Sequence, residues 1–303
     1  MRRARPFLVV WLVGILVGLV ASQTTVAAFS DQTTNSGNTF AAAADFGGEG
    51  MVPIRDLGEA NCGNTSNSLS VPAGGVPVGN TLIARLAHRT TVNGAVSIFD
   101  SQQNTWTKDA DVFQGNVRIV VFSAYISQPL AQNDNITVTF PGVGDAVGLT
   151  VEEFSGIAST NRVDAVGTGT GDSTTPAATV TTTNGSDLLF GAIASVNNRA
   201  YTEATGWGTG KHQVIDCGGA TRKADSHAAT RIVSATGAYT YNPTISASER
   251  WAAAIVAYRA ASGAPSCVRG SPVHMTGFEF GPTESASTAG LADGGLGTSG
   301  GTP

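Results

Sequence analysis

Nine short runs of β-branched and apolar residues, separated by clusters of Gly, Asn, Asp and Ser, constrain this fold more than any other feature. Residues 136–140 (ITVTF) alternate strictly and stop at the turn Pro141-Gly142, and residues 81–86, 147–151 and 178–183 alternate as well. Residues 117–126, 188–196, 228–233, 239–245 and 251–258 complete the series. Successive side chains of a strand point to opposite faces, so alternation marks one buried and one open face. The alanine-rich stretch 247–261 has a helical composition, yet Trp251, Ala253, Ile255 and Ala257 share one face at period two. That spacing is a strand's. The pattern predicts an all-β chain: one antiparallel β-sandwich of jelly-roll type over residues 52–260.

An internal echo at a spacing of 106 residues sets Asn80-Thr81-Leu82-Ile83-Ala84 against Ser186-Asp187-Leu188-Leu189-Phe190, and Leu149 against Ile255. It suggests two four-strand halves of one jelly roll, joined by a polar Gly/Thr-rich connector at 167–185. Composition then excludes several function classes. Charged residues are only 13% and the net charge is −5, with lysine at Lys108, Lys211 and Lys223 alone, so no basic patch exists for nucleic acid. A hydrophobic content of 41% argues against disorder of the whole chain.

Residues 1–28 read as a secretory signal: Arg2, Arg3 and Arg5, then an apolar run over 7–20, then Val26-Ala27-Ala28. Fourteen apolar residues fall short of the roughly 20 that a helix needs to cross a bilayer, so a membrane is expected as a partner only through an uncleaved signal. Residues 29–51 form an export-associated segment. After residue 260 the chain turns to Gly, Ser, Thr and Ala, so 261–303 is expected to be a disordered linker or the start of a further module, with an apolar island at 275–280.

Two resemblances attach to these residues. Thr25-Val26-Ala27-Ala28-Phe29-Ser30-Asp31, Gly37-Asn38-Thr39-Phe40 and Ala44-Asp45-Phe46 resemble the N-terminus of the TasA/camelysin family over about 25 residues. That resemblance implies a bacterial surface or biofilm-matrix destination, and a mature N-terminal segment able to pair with a neighbouring subunit. It implies no peptidase, because no His-Glu-x-x-His zinc signature occurs. Asp100-Ser101-Gln102-Gln103-Asn104-Thr105-Trp106-Thr107, Val151-Glu152-Glu153-Phe154-Ser155-Gly156, Ser234-Ala235-Thr236-Gly237 and Trp251-Ala252-Ala253 resemble a sandwich module repeated in large secreted bacterial proteins. No activity is tied to that module.

The candidate chemistry is sparse. An exported chain with Cys62, Cys217 and Cys267 allows three pairings, and Cys62–Cys217 is favoured because Cys267 lies in the tail. Glu153 is the best catalytic candidate. Its neighbour Glu152 points to the opposite face, so the two cannot flank one glycosidic bond. Glu153 shares phase with Val147, Leu149 and Val151, and an inward carboxylate calls for a partner such as Arg250 or Arg231. Asp100, Asn104, Asp109 and Asp111 could offer oxygens to calcium, but their spacing is not an EF-hand loop and Asx turns explain it more simply. Trp207, between two glycines, and Tyr201 are the candidate sugar-stacking residues. His212 and His227 lie near Asp216 and Asp225 and could meet in a hairpin. The expectation is a secreted or cell-surface, non-catalytic module for adhesion, display or matrix assembly, with polysaccharide, surface proteins or its own copies as partners. The alternative is a carbohydrate-binding or carbohydrate-active jelly roll.

Overall fold

A computed structural model describes residues 50–142, 146–219, 222–261, 291–292 and 295–296. The proposed signal, residues 29–49 and the island at 275–280 lie outside the described residues. The described chain is all-β, and every strand pairing is antiparallel.

The first half contributes β1 (Val52–Asn61), β2 (Ser66–Ser70), β3 (Thr81–Arg89), β4 (Ser97–Asp100), β5 (Trp106–Gln114), β6 (Val117–Tyr125), β7 (Asn135–Thr139) and β8 (Ala146–Ser155). A five-stranded sheet in the order β1-β8-β3-β6-β5 faces a three-stranded sheet β2-β7-β4. The second half contributes β9 (Val163–Ser173), β10 (Ala178–Thr181), β11 (Asp187–Val196), β12 (Tyr201–Thr202), β13 (Lys211–Asp216), β14 (Lys223–Val233), β15 (Ala238–Tyr241), β16 (Thr244–Ile245) and β17 (Glu249–Arg259). Its large sheet runs β13-β14-β11-β17-β9, faced by the pairs β10-β15 and β12-β16. Beyond residue 261, β18 (Leu291–Ala292) pairs with β19 (Gly295–Leu296).

The halves repeat one plan, with β9, β17, β11, β14 and β13 in the places of β1, β8, β3, β6 and β5. The expected single sandwich over 52–260 is therefore two, stacked through their large sheets into four layers. Ile83, Val121 and Phe154 of one large sheet meet Phe190, Val256 and Tyr258 of the other in the central core. Two outer cores lie between each large sheet and its small sheets. This layering explains why β6 and β11 read as nearly continuous apolar runs: each is buried on both faces, as are β3 and β17. The outer strands β2 and β10 alternate instead. β17 is a strand, and Trp251, Ala253, Ile255 and Ala257 all face the second outer core.

Two sequence expectations need correction. The part of the echo that sets β3 against β11 is out of phase by one residue, whereas Leu149 and Ile255 both face an outer core. Leu82 faces the first outer core whereas Leu188, its partner in the echo, faces the central core, and a one-residue slip exchanges the two faces of a strand. The strand ends match with Arg89 on Val196 instead, which places Ala84 on Gly191. The connector at 167–185 holds most of β9 and all of β10. Its glycines let β10 cross β9 closely: a Cβ at Gly167 would lie 1.9 Å from the Thr179 carbonyl oxygen, and one at Gly169 1.9 Å from that of Ala177.

Candidate functional site

The first-half carboxylates are committed to partners. Glu153, 1% exposed, accepts from Arg55 Nε at 2.7 Å and from Asn80 Nδ2 at 2.6 Å. The expected partners Arg250 and Arg231 lie elsewhere, Arg250 on Asn116 at 3.0 Å and Arg231 over the ring of Tyr239 at 5.3 Å. Sequence phase identifies the buried face of Glu153 but not which arginine the fold brings there. Glu152 points the other way, into the seam between the large sheets, and accepts from the fully buried Arg85 at 2.7 Å. Arg85 also donates to Ser226 at 3.1 Å and to the Lys211 carbonyl at 3.0 Å. Desolvation lowers the Arg85 pKa and raises that of Glu152, each opposed by the other's charge.

The four candidate calcium ligands do not share a site. Asp100 closes the turn after β4, accepting from the main chain of Gln102 (2.9 Å) and Asn104 (3.1 Å) and from Trp106 Nε1 (2.8 Å). Asn104 Oδ1 accepts from the main chain of Ser127 and Gln128. Asp109, at the bulge of β5, takes the Tyr258 hydroxyl at 2.8 Å, and burial raises its pKa. Asp111 is held bidentately by Arg118, both contacts at 2.7 Å. Among the described residues, no group of three or more His, Cys, Asp or Glu side chains could hold a metal ion.

The densest polar cluster lies in the second sandwich. His212 and His227 are cross-strand partners, with ring centroids 6.2 Å apart. His227 Nδ1 lies 2.6 Å from the Tyr241 hydroxyl and Nε2 lies 3.3 Å from Glu203. A neutral imidazole satisfies both contacts, accepting from Tyr241 at Nδ1 and donating from Nε2 to Glu203. Desolvation, helped by Arg85 and His212, lowers the His227 pKa to about 3, and desolvation raises Glu203 and Tyr241. Gly191 makes room for this arrangement, since a Cβ there would lie 2.4 Å from the Tyr241 ring. Beside it, fully buried Asp225 accepts from Ser195 Oγ (2.5 Å), the Tyr201 hydroxyl (2.9 Å) and the Arg199 main chain (2.5 Å), with His212 3.6 Å away. Ser195 donates to the carboxylate rather than to an imidazole, so nothing activates it as a nucleophile.

The stacking candidates are not open platforms. Trp207 is only 9% exposed, packs in the second outer core and donates from Nε1 to the Thr240 carbonyl at 3.1 Å. Tyr201 has one face covered by His227 at 4.7 Å. The cluster reaches the surface through Glu203 and His212, whose side chains are 29% and 32% exposed.

Two further features lie outside this cluster. Cys62, just after β1, and Cys217, just after β13, form a disulfide that ties the two sandwiches together. At the start of β11, Asp187 is fully buried near Asp164. Desolvation pushes Asp164 up, but hydrogen bonds from Thr183, Asn184 and Arg259 bring it down to about 2. Asp187 is raised to about 6 by desolvation, opposed by a hydrogen bond from Asn184 and assisted by Asp164.

No protein-family model, curated protein or solved structure matches this chain. Sequence reasoning missed Glu203 and Tyr241, which a loop and a separate small sheet bring to His227, and Ser195, which strand register sets opposite Asp225. The paired histidines were the available signal.

Proposed function

We propose that the protein is an exported, cell-surface or secreted β-sandwich that works without catalysis, in adhesion, display or matrix assembly. The observation that carries this reading is the commitment of three of its acids. Buried Glu153 and Asp225, and Asp111 at the surface, each have a cation or a set of hydrogen-bond donors in place, so none of these three carboxylates is free for acid–base chemistry. The Cys62–Cys217 disulfide supports export, because such bonds persist in oxidising compartments. The TasA-like N-terminal sequence and the signal pattern of residues 1–28 support a bacterial surface destination. Each half is read as a jelly roll, with its fifth strand moved to the edge of the large sheet.

The second reading is a carbohydrate-binding jelly roll. It is favoured by one observation, the partly exposed Glu203 and His212 at the mouth of the second-sandwich cluster. A glycan array and a polysaccharide-hydrolysis screen on the secreted protein separate the two. The first reading expects no turnover. Turnover abolished by Glu153→Gln or Glu203→Gln would overturn it, and glycan retention without turnover, lost in a His212→Ala variant, would favour the second.

A further inference from the structure

Four strands form the open sides of the two large sheets: β1 and β5 in one, β13 and β9 in the other. Unpaired main-chain N–H and C=O groups on such strands template pairing with another chain, and bulges are a common guard. β1 carries two register shifts, β5 one and β9 one. β13 carries none, pairing with β14 without a break from Lys211 to Asp216. Its other side has no strand partner among the described residues.

The outer face of β13 is self-complementary. Lys211, Gln213 and Ile215 turn toward the first sandwich, where they meet Asp56, Asn61 and Gly148. His212, Val214 and Asp216 occupy the opposite face. Val214 is 49% exposed, and the His212 and Asp216 side chains are 32% and 44% exposed. The ladder phase is set by Cys217, whose N–H donates to the Arg222 carbonyl at 2.9 Å in continuation of the β13–β14 register. Hydrogen-bonded pairs alternate in an antiparallel ladder, so Ile215 and Gln213 direct their main-chain groups to β14. His212, Val214 and Asp216 therefore present theirs to the open edge.

A second β13, antiparallel about a two-fold axis through Val214, brings outward groups against outward groups. In that register Val214 lies opposite its own copy, and each His212 lies opposite Asp216 of the second copy on the same face. Asp216 keeps its exposed contact with Lys223 at 3.0 Å in this arrangement. We propose that β13 is a homodimerisation edge that joins two copies of this chain through one continuous sheet. The proposal names the partner within the assembly reading above, on which it rests. A six-residue edge falls among small, transient interfaces, so the dissociation constant is expected on the order of 10 µM or weaker.

Sedimentation velocity of the full secreted chain over about 1–300 µM should show a monomer–dimer equilibrium governed by mass action. Val214→Lys sets like charges opposite each other at the axis and should weaken dimerisation about tenfold or more. Ile232→Lys, at an exposed apolar position of β14 away from this edge, should leave it unchanged. In a Cys267→Ser background, Val214→Cys should yield a covalent dimer with a short thiol-reactive bifunctional reagent. A chain that stays monomeric throughout overturns the proposal. Association indifferent to Val214→Lys also overturns it while leaving the assembly reading standing, whereas a monomer that adheres to neither glycans nor surface proteins removes both.

Discussion

At the outer end of β3 in the first sandwich, neighbouring ladder positions hold His88, Asp111, Arg118 and Val120. The corresponding positions of the second hold Ser195, His212, Asp225 and His227. In the first, Arg118 and Asp111 neutralise each other, while His88 is fully buried against Phe140 with neither ring nitrogen partnered. In the second, the imidazole of His227 is partnered at both nitrogens and its neighbours converge on Asp225. One strand plan thus carries an apolar core with a stranded histidine and a core built around a polar relay. A scaffold fixes where a polar cluster can form, and the residues at a few register positions decide whether it does.

Predictions that separate the two regions fall in order of size. The two ends of the sheet stack differ first. Cys62→Ser with Cys217→Ser should cost about 5 kcal/mol of unfolding free energy, as expected for closing a loop of this length. At the opposite end Arg250 and Asn116 share one hydrogen bond, and Asn116→Ala should cost about 1 kcal/mol by the same denaturant titration. The histidines differ next. His227→Leu removes the 2.6 Å partner of the buried Tyr241 hydroxyl and one of the three donors to Glu203, and should cost about 3 kcal/mol. His88→Leu removes an unpartnered group and should be neutral or stabilising in the same measurement. The matched positions Gly191 and Ala84 come third. Gly191→Ala collides with Tyr241 and should cost about 2 kcal/mol, against about 1 kcal/mol for Ala84→Gly.

The last difference is a pH dependence. Asp187 and Asn80 occupy matched positions, and the folded pKa of Asp187, about 6, lies above its ordinary 3.8. The folded state therefore binds the extra proton, and this contribution to stability is lost as pH rises from about 4 through about 6. Asp187→Asn should be equal to the parent at pH 4 and more stable by about 2 kcal/mol at pH 7. His88 and His227 act in the opposite sense, depressed by burial to about 4 and about 3. Their contribution is present above about pH 6.5 and lost as the pH falls through those values.

The antiparallel all-β class was legible because the outer strands and β17 alternate at period two, and the run 117–126 was legible as a strand from its β-branched residues. The doubling of the sandwich was not. An apolar run buried on both faces looks the same whether it lies in one sandwich or between two, and the glycines of β9 imitate a loop until β10 is seen to need the space. The buried orientation of Glu153 followed from phase alone. Its partnership with Arg55 and Asn80 did not, because these come from β1 and the start of β3, more than seventy residues away in the chain. The proximity of His212 and His227 was readable from the hairpin. The roles of Glu203 and Tyr241 depended on a loop and on a small sheet whose positions no local signal announces.

The central claim is that the His227 imidazole, partnered at both nitrogens, is committed to the fold. Its most direct test is an NMR pH titration of the His227 ring nitrogens in the intact protein. The ring is expected to be a neutral imidazole, protonated at Nε2, until the pH falls to about 3. A midpoint near 6.5, or the opposite tautomer at neutral pH, would contradict it and would mark the cluster as an open site.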